Sequence, residues 1–264
     1  MKISRRDFLG AVTGSAATLL SFRYPALDRP GPQTGHELDC AILDLQSHCV
    51  LRESLRGYQA ALIDRQNHLP EVCPDARCHC RMAIVPGLGP MDPALAQTLS
   101  DLLNAGTHLL LESGAGFLSP AEFAAQQKML HRYFNLIVEP PVHLWSGKSA
   151  DDTFFSHRTR QQHKRKLDSS GLSAYVDYIW PRETKVRDFS RVIPVSSRAG
   201  DVIGRVGALP VALKKCMGKG VLIFLGSPLG PALRAGDPEA HSWLKLVRAL
   251  SLHPARRTDQ RQLQ

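Results

Sequence analysis

The stretch Thr107-His108-Leu109-Leu110-Leu111-Glu112-Ser113-Gly114-Ala115-Gly116 is an apolar run of strand length that ends in an acid, a serine and a glycine-bearing turn. Ser119-Pro120-Ala121-Glu122 follows directly, with a capping serine, a first-turn proline and an acid in the capping-box position. The spacing predicts a strand over 107–111 and a helix from there to about Phe134. The same order occurs just upstream. Residues 81–85 (RMAIV) read as a strand closed by Pro86-Gly87-Leu88-Gly89, and Asp92 caps a helix that has Pro93 at its first position. Leu95, Leu99, Leu102 and Leu103 space that helix until Gly106 stops it. Further upstream, 38–45 (LDCAILDL) has the character of a buried strand, and Gln46-Ser47-His48 makes a polar turn. Residues 51–63 then place Leu51, Leu55, Tyr58 and Leu62 on one helical face. Strand and helix in alternation imply a parallel sheet covered on both faces.

Downstream the pattern changes. Residues 146–172 are polar and basic with little apolar periodicity, and read as a long insertion. Segments 175–180, 186–189, 191–195 and 202–206 are short strand-like pieces punctuated by Pro181, Pro194 and Gly200-Asp201, which suggests an antiparallel addition at the sheet edge. Residues 209–215 lead through Gly218-Lys219-Gly220 into 221–225 (VLIFL), an uninterrupted apolar strand suited to a sheet interior. It ends at Gly226-Ser227-Pro228-Leu229-Gly230-Pro231. A last helix, opened by Asp237-Pro238-Glu239, packs Trp243, Leu246, Val247 and Leu250, with His241 read as an exposed polar position.

Three features together are similar to the class I glutamine amidotransferase-like superfamily: Val85-Pro86-Gly87, Glu112-Ser113-Gly114-Ala115-Gly116, and the late run from Gly218 through Phe224-Leu225-Gly226. The resemblance covers most of 38–250 apart from the basic insertion. It implies a flavodoxin-like three-layer α/β sandwich with a mostly parallel central sheet and the antiparallel edge addition. It also implies a Pro-Gly turn that helps form an oxyanion hole, and a cysteine on a sharp strand-to-helix turn with a downstream His and Glu. Here Ser113 or Gly114 stands where that cysteine belongs, and Leu225-Gly226-Ser227-Pro228 replaces the final His-Pro-Glu. The implied protein keeps the fold without the triad, as in exported or sugar-associated branches, and is expected to lack glutaminase activity.

The amino terminus carries an address. Ser4-Arg5-Arg6-Asp7-Phe8-Leu9 precedes a weakly apolar stretch to Phe22, the pattern of a twin-arginine export signal, which makes the export machinery a partner and the periplasm the destination. The apolar stretch is shorter than the roughly 20 residues of a spanning helix. Cleavage near Tyr24-Pro25-Ala26 and retention at the inner membrane by an uncleaved signal both stay open. The expected organisation is signal and Pro/Gly linker over 1–35, one α/β domain over 36–254 and a polar tail over 255–264.

The formal charge of +9 concentrates in the signal, in 157–166 and in the tail. For an exported chain this points to peripheral contact with an anionic envelope surface and away from nucleic acid. The six cysteines include Cys73, Cys78 and Cys80, and with His79 they form a dense group of soft ligands. No second C-x₂-C pair accompanies them, as a structural zinc site requires, so a disulfide within this loop or to another cysteine is the alternative to metal. Cys40 and Cys216 read as small buried hydrophobes.

In an open parallel sheet, ligands collect beyond the carboxyl ends of the strands. Four loops answer that description, and they make Asp44, Gly87, Glu112, Ser113, Gly114, Gly226 and Ser227, with Gly89, the expected ligand-binding residues for a small molecule or glycan or for a protein partner. No cofactor is implied. A hydrolase using Ser113, or Cys49 beside His48, is the competing reading, although Ser113 lacks the G-x-S-x-G frame of a nucleophile elbow. Asp44, Glu53 and Glu112 offer either an acid pair or ordinary caps.

Overall fold

A computed structural model describes residues 38–45, 52–63, 71–73, 79–113, 119–143, 175–187 and 191–252, all within the compact unit Glu37–Gln264. His48, Cys49, Cys78, Gly114 and residues 146–172 lie outside these residues, as do residues 1–37, on which the export reading rests. The strands are β1 (Leu38–Leu43), β2 (Glu71–Cys73), β3 (Cys80–Leu88), β4 (His108–Ser113), β5 (Val142–His143), β6 (Tyr175–Tyr178), β7 (Thr184–Arg187), β8 (Arg191–Val192), β9 (Asp201–Val206), β10 (Leu209–Met217) and β11 (Gly220–Leu225). The helices are α1 (Arg52–Ala61), α2 (Pro93–Ala105), α3 (Pro120–Phe134), α4 (Gly230–Arg234) and α5 (Pro238–Leu252).

Among the described residues nine strands form one mixed sheet in the order β2-β1-β3-β4-β11-β10-β9-β6-β7. The first five run parallel, and from β11 onward each neighbour is antiparallel to the last. The alternation read from the sequence therefore stands for β1 to β4. The short pieces of the second half form the antiparallel extension, while β8 pairs with β5 in a separate two-stranded ribbon.

Alternate residues of the central strands feed two cores, because successive side chains point to opposite faces. Ile42, Met82, Ile84, Leu110, Ile223 and Leu225 pack with Tyr58 and Leu62 near α1, with Leu233 of α4, and with Trp243, Leu244 and Val247 of α5. Leu43, Val85, Leu109, Leu111, Leu222 and Phe224 pack with Leu99 and Leu103 of α2 and with Phe123, Leu130 and Phe134 of α3. The caps behave as their residue types dictate. Asp92 accepts from Leu95 N at 2.7 Å, Gly106 closes α2 at φ 115°, and Ser119 Oγ accepts from Glu122 N at 3.2 Å.

Several expectations need correction. β2 pairs in parallel with β1 and carries Cys73; three residues are too few for a periodic signal. In α5 the buried face holds Ala240, Trp243, Leu244 and Val247, and Leu250 is 48% exposed. The stripe is rotated because Trp243 anchors inward, its Nε1 donating to Trp180 O at 2.8 Å. His241 is half-buried, with Nε2 2.9 Å from Leu233 O. Cys216 is exposed. Among the described residues no helix is long and apolar enough to cross a membrane.

Candidate functional site

The strand registers bring the expected loops to one edge. Ile42 pairs with Ile84, Val85 with Leu111, Leu88 with Ser113 and Leu225 with Glu112. β3 runs past the expected stop at Val85 to Leu88, with a register shift that lets Leu88 pair with Ser113, so Asp44, the last residues of β3, Glu112-Ser113 and Gly226-Ser227 meet at one edge. Asp44 is half-buried, and its N–H donates to Cys73 O at 2.8 Å. Gly87, Gly89, Gly226 and Ser227 are buried. Gly226 extends the ladder, donating to Val211 O and accepting from Ile193 N, both at 2.7 Å.

Glu112 is the centre of this edge, and it has no exposed surface. A carboxylate removed from water needs donors on its lone pairs, and four are supplied from three separate segments. Gly87 N donates to Oε1 at 3.1 Å. Tyr58 Oη donates to Oε2 at 2.7 Å, Leu229 N at 3.0 Å and Gly230 N at 3.1 Å. Gly87 takes φ 53°, a left-handed conformation that only glycine adopts without penalty, and this presents its N–H to the acid. Burial pushes the Glu112 pKa above the usual carboxylate range; the Ser54 hydroxyl, Tyr58 and the N–H groups of Gly230 and Leu229 pull it down. The Ser54 hydroxyl does so at looser geometry than a hydrogen bond requires, since its Oγ has no partner that qualifies. Burial first, and then the Glu112 charge, drive the Tyr58 phenol well above its normal value.

Ser113 is equally buried, but its Oγ has no hydrogen bond. Gln126 of α3 is in a similar state: Oε1 accepts from Met91 N at 2.8 Å, while Nε2 is buried without a partner. The side chain of Glu53 is not among those described.

Cys73 and Cys80 do not come together, and Cys78 lies outside the described residues. Cys73 pairs with Leu43 at the carboxyl edge of β1, whereas Cys80 pairs with Leu38 at its amino edge. Five residues of extended chain separate those rows, about 16 Å at ~3.3 Å per residue, so neither a shared metal ion nor a Cys73–Cys80 disulfide is possible. His79 is exposed, and among the described residues no three His, Cys, Asp or Glu side chains group as metal ligands do.

Residue type and strand-end position single out both Glu112 and Gly87, which the structure joins. Tyr58 reads only as part of an apolar helix face, Ser54 belongs to no motif, and the N–H groups of Leu229 and Gly230 carry no side-chain signature. One clue was legible: a buried tyrosine needs a partner for its hydroxyl, and an acid closing an apolar strand needs donors. Chemically, three convergent amides and a phenol make a site for a negative oxygen, and the chain's own carboxylate fills it.

No family model and no curated protein matches the chain. Among solved structures it is similar in fold to a β-galactosidase from Rahnella sp. R3, with TM-score 0.53 and 12% identity over 82% of this chain and 32% of that one. A β-galactosidase from Bacillus circulans sp. alkalophilus gives TM-score 0.51 and 12% identity, over 79% of this chain and 31% of that one. The chain thus spans about a third of the length of these relatives, and at this identity the likeness is one of fold alone.

Proposed function

We propose that this chain is an exported amidotransferase-like domain without glutaminase activity, which binds a small molecule or glycan, or docks a protein partner, at the carboxyl edge of its parallel strands. The parallel half is read as a flavodoxin-like three-layer sandwich. Counted along β1, β2, β3, β4 and β11 alone, the order is 2-1-3-4-5, whose crevice opens between the first and third strands. Asp44 and the end of β3 border that crevice.

The observation that carries the non-catalytic reading is the Gly87 N–H. The family resemblance assigns the Pro-Gly turn to an oxyanion hole, and here the Gly87 amide is committed to Glu112 Oε1. A donor already satisfied by a buried carboxylate cannot stabilise charge developing on a substrate. Ser113, the nearest hydroxyl to the missing nucleophile, has no hydrogen-bonded base to activate it.

The test is ammonia release from L-glutamine by the purified full chain, with Ser113→Ala and Cys49→Ala beside it. No release is expected from any of the three. Release that disappears in either variant would install a nucleophile and reverse the conclusion. Export is tested separately by replacing Arg5 and Arg6 together with lysine, which should hold the protein in the cytoplasm. Unchanged periplasmic recovery would remove the signal.

A further inference from the structure

We propose that Glu112 is a proton-linked clasp of the strand-end edge: ionised, it draws α1, the end of β3 and the start of α4 onto one carboxylate, and on taking up a proton it releases part of that grip. The geometry sets this up. Gly87, Tyr58, Leu229 and Gly230 come from three segments far apart in sequence, and all four donate to the same side chain.

Proton uptake has a defined chemical outcome. The proton comes from solvent and forms the O–H of a carboxylic acid, and that O–H needs an acceptor. Three of the four partners are backbone N–H groups, which cannot accept. Only the hydroxyls of Tyr58 and Ser54 can reverse their role. Ser54 Oγ is buried without a hydrogen bond and stands at the α1–α4 crossing, where a Cβ on Gly230 would strike it. The acid thus keeps a place inside the fold. The oxygen that carries the proton becomes a weaker acceptor, and the N–H groups facing it lose part of their bond.

The groups facing the carboxyl leave it free to titrate alone. From α1 comes Tyr58, with Tyr178 of β6 behind it; the Tyr58 phenol, raised well above its ordinary value, stays neutral while a carboxyl titrates. From the end of β3 and from the start of α4 come backbone amides only, among the described residues. Burial favours the protonated acid and the hydrogen bonds favour the anion, so proton occupancy is a balance of opposed causes. The effect on a ligand rests on reading this edge as a binding site, and the clasp itself does not.

The experiment follows the amide signals of Gly87, Leu229 and Gly230 in the ¹⁵N-labelled full chain from roughly pH 4 to 8, the span across which a buried carboxyl moves. All three should shift together with one midpoint above the usual glutamate value of 4.5. Tyr58→Phe removes a donor to the anion and should raise that midpoint, and Glu112→Gln should abolish the shared transition. Amides that stay still, that move with unrelated midpoints, or that share a midpoint at or below 4.5 overturn the clasp, and the unmodified protein alone delivers that result. Ammonia release from glutamine would overturn the functional reading and leave this titration standing.

Discussion

A Cβ placed on Gly230 would fall inside contact distance of Ser54 Cα, and one placed on Gly57 would do the same to the Gly230 carbonyl oxygen. Neither obstacle is the far end of a flexible side chain, so the backbones of α1 and α4 would have to separate. That crossing also sets the reach from Tyr58 and Gly230 to the buried acid, which makes the two glycines part of the Glu112 arrangement. Gly230→Ala should therefore lower stability by about 1–3 kcal/mol, the usual cost of overpacking, and Gly57→Ala by a similar amount. Once one substitution has parted the helices the second meets less resistance, so the double variant should cost less than the sum of the two. Urea unfolding of the three variants measures this. Strict additivity would mean that the two positions do not share a contact.

At the scale of elements, what could be read from residue order was what local chemistry determines. α2 begins and ends where Asp92 and Gly106 say it should, and α3 begins at Ser119 and stops at Phe134 ahead of a left-handed Asn135, because caps and first-turn prolines act through neighbouring backbone groups. β11 was legible as an interior strand from VLIFL, and it lies between β4 and β10. β2 and α4 were not legible. Each is short, and each is held by a long-range partner: β2 by the backbone of β1, α4 by the Glu112 carboxylate and the close approach of Gly57. The separation of Cys73 from Cys80 has the same origin. Cys73 and Cys80 are near in sequence and carry compatible donors, but β2 and β3 flank β1 on opposite sides, and no local rule foretells that their cysteines mark opposite ends of it. The candidate site followed this division: its loops could be named in advance from strand ends, and the hydrogen bonds that tie them could not.

For the whole molecule, a buried acid with a raised pKa turns stability into a function of pH with a definite sign. Where the folded-state pKa lies above the unfolded one, the folded chain holds the proton more tightly. Glu112 therefore contributes stability that is complete below its usual value of 4.5 and is lost as pH rises through the folded pKa. His108 works in the other direction: burial lowers its pKa from 6.5, so its contribution is present above that value and is lost as pH falls through the lowered one. The two overlap in a raw profile, and comparison with a variant separates them. Glu112→Gln cannot titrate and keeps His108, so the urea midpoint of the wild type minus that of the variant isolates the acid. That difference should fall as pH increases from 4.5 through the folded pKa and then level off. A difference that grows with pH would mean that the four donors outweigh burial and that the carboxylate enters the fold charged.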